Sequence, residues 1–165
     1  MTLALQLAST CNVVMLCKEE PTEGSTYYAQ GGVAAVLDDH DSVESHIADT
    51  LTAGAGLCHE DIVQFTVERS AATIRWLVEL GVNFDTMIQS DGSTEFHLSR
   101  EGGHSFRRVI HAADATGREI AETMSRRLAR HDNVNIKHHY VAVDLITLDK
   151  IGLRGNDVIG AYALN

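Results

Sequence analysis

One loop of the sequence concentrates groups that could hold an anion or a polar ring. Residues 23–32 read EGSTYYAQGG. Ser25 and Thr26 can donate hydrogen bonds to phosphate or ring carbonyl oxygens, and Gln30 can both donate and accept. The glycine pair Gly31–Gly32 lets the backbone approach a ligand closely and offers N–H donors. The alternative is a surface turn that binds nothing, and the residue types alone leave both open.

A second polar cluster reads LSREGGHS over residues 98–105, and Arg107, Arg108 and His111 follow it. It places a carboxylate, imidazoles and guanidinium groups around a flexible glycine pair. Such a grouping suits recognition of a small zwitterion, with Glu101 pairing an ammonium and arginines pairing carboxylates. A solvated polar loop, with the arginines in ordinary surface ion pairs, is the alternative.

The nine histidines and three cysteines raise the question of a metal site or a reactive thiol. His97, His104 and His111 recur every seven residues, but the segment lacks helical periodicity and the chain has no HExxH or CxxC motif. Cys58 and His59 are adjacent, a spacing that seldom gives the geometry for nucleophilic catalysis. We therefore expect no metal. We also expect free thiols in a reducing cytoplasm, because the cysteines form an odd set.

These loops must be positioned by regular elements, of which the first is an apolar strand. Thr2–Ser9 has leucines and alanines at helical spacing, and Cys11–Cys17 is an apolar run typical of a parallel strand buried on both faces. A helix that leads into such a strand is the second half of a βαβ unit. The loop 23–32 then lies beyond the carboxyl end of a parallel strand, where open α/β sheets bind nucleotides. This position strengthens the ligand-binding interpretation to the point where it and the surface turn are equally supported by the residues.

Further elements follow along the chain. The predicted helices begin at Asp41, with Glu44 completing a capping box; at Asp61, running to Leu80 and ending at Gly81; and at Thr116, with Glu119 as the reciprocal cap. The predicted strands lie near Phe84–Ile88 and Thr94–Leu98, and then at Val134–His138, Tyr140–Leu148 and Val158–Leu164.

Composition excludes two classes of partner. The formal net charge of −10 argues against nucleic acid, because neutralising phosphates requires a basic surface. No apolar run approaches the ~20 residues that a membrane-spanning helix needs.

Three strings together carry a resemblance to a known family: EGSTYYAQGG, REGGHS at residues 100–105, and HAADATGRE at residues 111–119. In combination they resemble the L-aspartate oxidases, within the superfamily of succinate dehydrogenase and fumarate reductase flavoproteins. The resemblance implies a Rossmann-type FAD-binding domain with an inserted capping domain. It also implies oxidation of L-aspartate to iminoaspartate by hydride transfer to FAD, which oxygen or fumarate reoxidises, in the NAD and quinolinate pathway.

The resemblance also assigns residues. It implies that FAD is contacted by Lys18, by the stretch Ser25, Thr26, Tyr27, Tyr28, Ala29, Gln30, Gly31 and Gly32, and by Val141 and Ala142. Glu101 matches the glutamate that orients the substrate, and His104 and Ser105 line the same pocket. In the succinate dehydrogenase branch a histidine holds FAD covalently at the position of Ser25, so here the flavin is expected to be non-covalent. Cys17 and Lys18 stand where many dinucleotide folds place an acidic residue.

We expect the fold class to be α/β: an incomplete Rossmann-type FAD-binding domain with the start of an inserted α+β capping domain. The expected division is 1–81 for the FAD-binding domain, 82–110 for part of the capping region and 111–165 for the return to the FAD-binding domain. The family's GxGxxG turn would precede Met1 and its later catalytic region would follow Asn165. We therefore expect a fragment that binds FAD weakly or not at all and does not turn over aspartate. A fumarate reductase-like flavoprotein and a non-catalytic remnant of the scaffold are the alternatives.

Overall fold

The computed structural model describes residues 1–113 and 115–165 and divides them into two compact units. Unit 1 comprises Met1–Gly24 and Met124–Asn165, and unit 2 comprises Ser25–Thr123. The helices are α1 (Thr2–Leu7), α2 (Ser25–Tyr28), α3 (Val43–Ala53), α4 (Glu60–Leu80) and α5 (Thr116–Leu128). The strands are β1 (Val13–Cys17), β2 (Val33–Ala34), β3 (Thr86–Ile88), β4 (Thr94–Phe96), β5 (Leu98–Ser99), β6 (Val109–Ile110), β7 (Val134–His138), β8 (Val141–Thr147) and β9 (Val158–Leu164).

Unit 1 is built on the parallel pair β1–β7, in register from Val13 opposite Val134 to Cys17 opposite His138. The other two strands of unit 1, β8 and β9, form an antiparallel ribbon. The predicted helix–strand order and the parallel strand are confirmed. The predicted burial of β1 on both faces is wrong, because Val14 is 62% exposed. Within the described residues β1 lies in a two-stranded sheet with β7, so part of its apolar surface remains in solvent.

Unit 2 contains an antiparallel sheet in the order β2-β6-β5, the hairpin β3–β4, and the helices α2, α3 and α4 with the first part of α5. Its core includes Val67, Ile74 and Leu77 on one face of α4, at the spacing of three or four that buries one helix stripe. Gly81 ends α4 in the left-handed conformation, with φ of 98°, as a glycine C-cap does. This helix and its end are as predicted.

The two predicted capping boxes are not formed as expected. Ser42, and not Asp41, is the N-cap of α3, and its Oγ accepts from the backbone N–H of Ser45 at 3.1 Å. The carboxylate of Asp41 instead binds Arg108, which is 67 residues away in sequence. The Glu119 carboxylate accepts from the backbone N–H of Asn83, also a distant partner. In both places a long-range partner takes the carboxylate that local sequence assigned to a cap.

The domain division predicted from sequence, at residues 81 and 110, remains a prediction. The compact units are separated at residues 24 and 123 by packing alone. Among the described residues, no helix is both long enough and apolar enough to cross a membrane.

Candidate functional site

The predicted flavin loop opens with a single helical turn and leads into a strand. Ser25–Tyr28 forms α2, and Gly32 precedes β2, which pairs with β6 through Val33 opposite Ile110. A methyl group on Gly32 would overlap the carbonyl oxygen of Ile110 and the side chain of Val109. Only glycine therefore allows the loop to enter the sheet at this point. Gly31, by contrast, faces open space.

The loop is supported from behind by the start of α5. A methyl group on Gly117 would overlap the carbonyl oxygen of Thr26, and the Gly117 N–H donates to the carbonyl oxygen of Ala29 at 3.1 Å. The guanidinium of Arg118 lies 5.2 Å from the centre of the Tyr27 ring. Sequence reasoning missed Gly117. A glycine directly after the residue that begins a helix is unfavourable for helix formation, and this was the available signal that something packs closely there.

The exposed side of this loop fits a ligand rich in hydrogen-bond acceptors. Ser25, Thr26 and Gln30 are exposed, and their side chains make no hydrogen bond to residues 1–113 or 115–165. The loop backbone that carries these donors is fixed by its contacts with Gly117, while the donor side chains face solvent. FAD presents ring carbonyl oxygens, ring nitrogens and phosphate oxygens, so the residues present fit this cofactor.

Unit 1 brings the other three predicted cofactor residues together. The Tyr140 N–H donates to the carbonyl oxygen of Cys17 at 2.9 Å, so Lys18 and the Val141–Ala142 pair each adjoin this contact. The side chains of Lys18, Val141 and Ala142 are exposed. They lie at the carboxyl end of β1, the edge where α/β sheets bind nucleotides. Burial raises the pKa of the Cys17 thiol, which keeps this strand-end group neutral.

The predicted substrate loop is pinned to α3. Ser105 donates to the Asp49 carboxylate from its backbone N–H and from its hydroxyl, both at 2.7 Å. Gly103 has φ of 84° and approaches Ala53 at the end of α3. The Ser105 hydroxyl is therefore committed to a structural hydrogen bond. Glu101 remains exposed, and within the described residues its carboxylate has no partner.

Arg108 is a buried structural cation, which the sequence did not reveal. Its side chain is fully buried and lies 2.8 Å from carboxylate oxygens of both Asp41 and Asp49, with the Ser45 hydroxyl at 3.1 Å. The hydrogen bonds from Ser105 and then the charge of Arg108 hold the pKa of Asp49 below its usual value. Arg108 is thus unavailable to a substrate carboxylate.

Two other arginines are available. Arg100 and Arg107 line an open cavity of about 590 Å³ together with Ser99, Ser105 and Phe106. Both arginines are exposed, and Arg107 makes only a long contact of 3.5 Å to the carbonyl oxygen of Leu98. Arg100 directly precedes Glu101 and Arg107 follows it six positions later, so anion-pairing and ammonium-pairing groups occur on the same segment.

His104 packs against a second histidine. The rings of His46 and His104 meet edge to face with 5.7 Å between centroids, and His46 is buried. Burial, and next the charge of Arg108, lower the pKa of His46. The Nδ1 atoms of both rings are buried without a hydrogen-bond partner among the described residues. His104 is therefore partly a packing residue, and the assignment of a catalytic role to it remains a prediction.

Comparison with known proteins decides the family. The model of a protein family described as an FAD binding domain matches residues 1–165, the whole chain. The chain belongs to this FAD-binding family. The predicted cofactor, FAD, and the predicted α/β flavoprotein fold are confirmed by this membership and by the structural likenesses given below.

Relatives of this FAD-binding protein include several L-aspartate oxidases. The Pseudomonas aeruginosa enzyme is 54% identical over 168 residues and the Yersinia pestis enzyme 49% identical over 166. Both alignments cover 100% of this chain and 31% of the relative. A chloroplastic L-aspartate oxidase of Nicotiana tabacum is 43% identical, over 98% of this chain and 24% of the relative. The chain thus spans less than a third of the length of these relatives.

Solved structures place the FAD-binding chain in the predicted superfamily. A variant of E. coli quinol fumarate reductase superposes with a TM-score of 0.81 at 27% identity, over 99% of this chain and 26% of that one. The open form of a flavocytochrome c3 fumarate reductase gives 0.72 at 26% identity, over 98% and 28%. The predicted resemblance to L-aspartate oxidases and to fumarate reductase flavoproteins is confirmed. The individual site assignments remain predictions.

Proposed function

We propose that this protein acts in the FAD-dependent oxidation of L-aspartate to iminoaspartate, which feeds quinolinate and NAD synthesis. The observation that carries the proposal is the identity of about half of all residues with L-aspartate oxidases over the entire chain. Oxygen or fumarate is the proposed final electron acceptor. The proposed setting is the cytoplasm, with small molecules and neither nucleic acid nor membrane as partners.

The proposed cofactor contacts are the residues that the family resemblance assigns. The stretch Ser25–Gly32 offers hydroxyl, amide and backbone donors, and Lys18 offers a cation to the cofactor's phosphates or ribose. Val141 and Ala142 offer backbone and apolar surface. Ser25 cannot form the covalent link that a histidine makes, so FAD is held non-covalently. Bound FAD supplies the two-electron acceptor that oxidation of the α-carbon requires.

Glu101 is the proposed substrate-orienting residue. Its carboxylate is exposed and unpaired among the described residues, while Ser105 and Gly103 fix the backbone of its loop on α3. An ammonium group is the natural partner of such a carboxylate. Arg100 and Arg107 are the proposed partners for the substrate's own carboxylates. His104 and Ser105 shape the loop and line the pocket.

The test is anaerobic reduction of flavin by L-aspartate in the full-length protein loaded with FAD, measured as the bleaching of flavin absorbance. Glu101→Gln is expected to slow this reduction roughly 10- to 150-fold, the value of a hydrogen bond to a charged group. Glu60→Gln, which changes an exposed glutamate in the first turn of α4, is the matched control. Equal rates for Glu101→Gln and Glu60→Gln would remove Glu101 from the substrate site.

A dicarboxylate reductase is the second candidate, favoured by the structural likeness to fumarate reductases. The same samples distinguish the two. If fumarate reoxidises the reduced flavin but L-aspartate never reduces it, the protein acts as a reductase of dicarboxylates. A full-length protein that remains colourless with excess FAD fits neither and supports the non-catalytic remnant.

A further inference from the structure

Three titratable side chains outside the proposed contacts form a continuous chain in unit 2. His111 Nδ1 lies 3.1 Å from Asp85 Oδ2, and His111 Nε2 lies 2.9 Å from His97 Nδ1. The two imidazole rings meet nearly at right angles, with 5.0 Å between centroids. The chain Asp85–His111–His97 is partly buried, with the His111 side chain 21% exposed.

The backbone explains why these residues meet. Leu98 of β5 is directly opposite Ile110 of β6 in an antiparallel register, so the next pair outward is His97 and His111. Side chains that are directly opposite on antiparallel strands lie close together. Asp85 is joined to both, because its N–H donates to the His111 carbonyl at 2.8 Å and its carbonyl accepts from the His97 N–H at 2.9 Å.

The two side-chain contacts of His111 differ in kind. His97 Nδ1 and His111 Nε2 lie within hydrogen-bond distance, and either ring can be the donor, depending on its tautomer. His111 Nδ1 faces the Asp85 carboxylate at 3.1 Å as an ion-pair contact.

The same carboxylate holds the turn between β6 and α5. Asp85 Oδ2 also accepts from the N–H of Ala113 at 2.9 Å, and Ala113 has φ of 44°, which is unusual for a residue with a side chain. The buried Thr116 hydroxyl accepts from the Ala112 N–H at 3.0 Å at the other end of this turn. Directly after it, Gly117 contacts the flavin loop at Thr26 and Ala29.

We propose that Asp85, His111 and His97 are positioning residues for the cofactor loop. They fix the backbone at Ala113, just before α5, and thereby keep Gly117 in contact with residues 26–29. This contact fixes the loop backbone, so the hydroxyl and amide donors of the loop keep the positions from which they can bind a ligand. The part of this inference that concerns flavin rests on the proposed function. The mechanical part, from Asp85 to Ala29, does not.

The test measures amide hydrogen exchange in the 165-residue chain without flavin. Asp85→Ala is expected to speed exchange at Ala113 and Gly117 by about tenfold, the value of one lost hydrogen bond, and to leave the α4 amide of Ile74 unchanged. His59→Gln, which changes an exposed histidine before α4, is the control and should alter neither.

A second pair of variants decides the outcome if Asp85→Ala exposes α4 as well. The amide of an asparagine can occupy the place of an imidazole Nδ1, so His97→Asn should keep the wild-type exchange at Gly117, whereas His97→Leu should raise it severalfold. Unchanged Gly117 exchange in His97→Leu would overturn the proposal.

The flavin arm is separate and uses the full-length protein. FAD titrated into His97→Leu and His97→Asn should bind severalfold more weakly to the leucine variant alone. If the wild type binds no FAD while the exchange results hold, the proposed function fails and the positioning chain stands. If FAD binds all three proteins equally, the chain does not act on the cofactor loop.

Discussion

Replacing Gly117 by alanine is the most direct probe of the support behind the flavin loop. The added methyl would overlap the backbone carbonyl of Thr26 and come within 2.9 Å of the Ala29 side chain, so backbone and not a flexible side chain must move. Overpacking of this kind costs about 1–3 kcal/mol. Loss of the Gly117 to Ala29 hydrogen bond adds about 1 kcal/mol, and the better helix propensity of alanine returns about the same amount. We therefore expect the free energy of unfolding to fall by about 1–3 kcal/mol.

Urea denaturation followed by the fluorescence of Trp76 measures this change. Trp76 is the only tryptophan of the chain and lies on α4, in the same unit as Gly117. Gly24→Ala is the control, because a methyl there meets nothing within 4 Å. A Gly117→Ala protein as stable as the wild type, at an unchanged denaturant slope, would mean that α5 does not support the loop.

Three further outcomes are expected. Gly31→Ala places a methyl in open space, so the free energy of unfolding should be unchanged. FAD affinity, measured by flavin titration, should fall at least tenfold relative to Gly24→Ala, because the methyl would prevent close approach of the cofactor to the backbone. Equal affinities of the two variants would show that Gly31 does not contact the cofactor. Arg108→Ala leaves two buried or partly buried carboxylates unpaired and should cost about 3–5 kcal/mol in urea denaturation, whereas Arg107→Ala, at an exposed site, should cost less than about 1 kcal/mol. Burial lowers the pKa of His46 below its ordinary value of 6.5. The contribution of neutral His46 to the free energy of unfolding is therefore complete above pH 6.5 and is lost as the pH falls toward the folded-state pKa. His46→Gln should flatten this part of the plot of stability against pH, and an unchanged slope would contradict the assignment.

The elements that could be predicted are those whose signals are local. The periodicity of α4 and the glycine that ends it lie within one stretch of chain, and both are observed. The parallel strand β1 was also recognised from its apolar run, but its burial was not, because burial depends on neighbours that the run does not specify.

The polar contacts were harder to predict because their partners are far apart in sequence. Asp41 fitted a capping box, yet Arg108 takes its carboxylate, and Arg108 itself looked like one more surface arginine. A buried charge-assisted hydrogen bond to a guanidinium is stronger than a local helix-capping bond, so the carboxylate binds the guanidinium where the fold brings the two together. The contacts of Gly117 and of the His97–His111 pair likewise form only once β5, β6 and α5 have packed together, so the local sequence does not predict them.

The contacts give a physical reason why the three recognised strings are informative together and weak alone. Gly32 of the first string contacts Ile110, which directly precedes the third string. Ala29 of the first string contacts Gly117, which lies within the third string. The second string is fastened to α3 by Ser105 and leads through Arg108 into β6, the strand beside the flavin loop. Each string thus supplies the surface that another needs in order to keep its shape. A change in the flavin loop is therefore constrained by contacts with residues about 80 to 90 positions away.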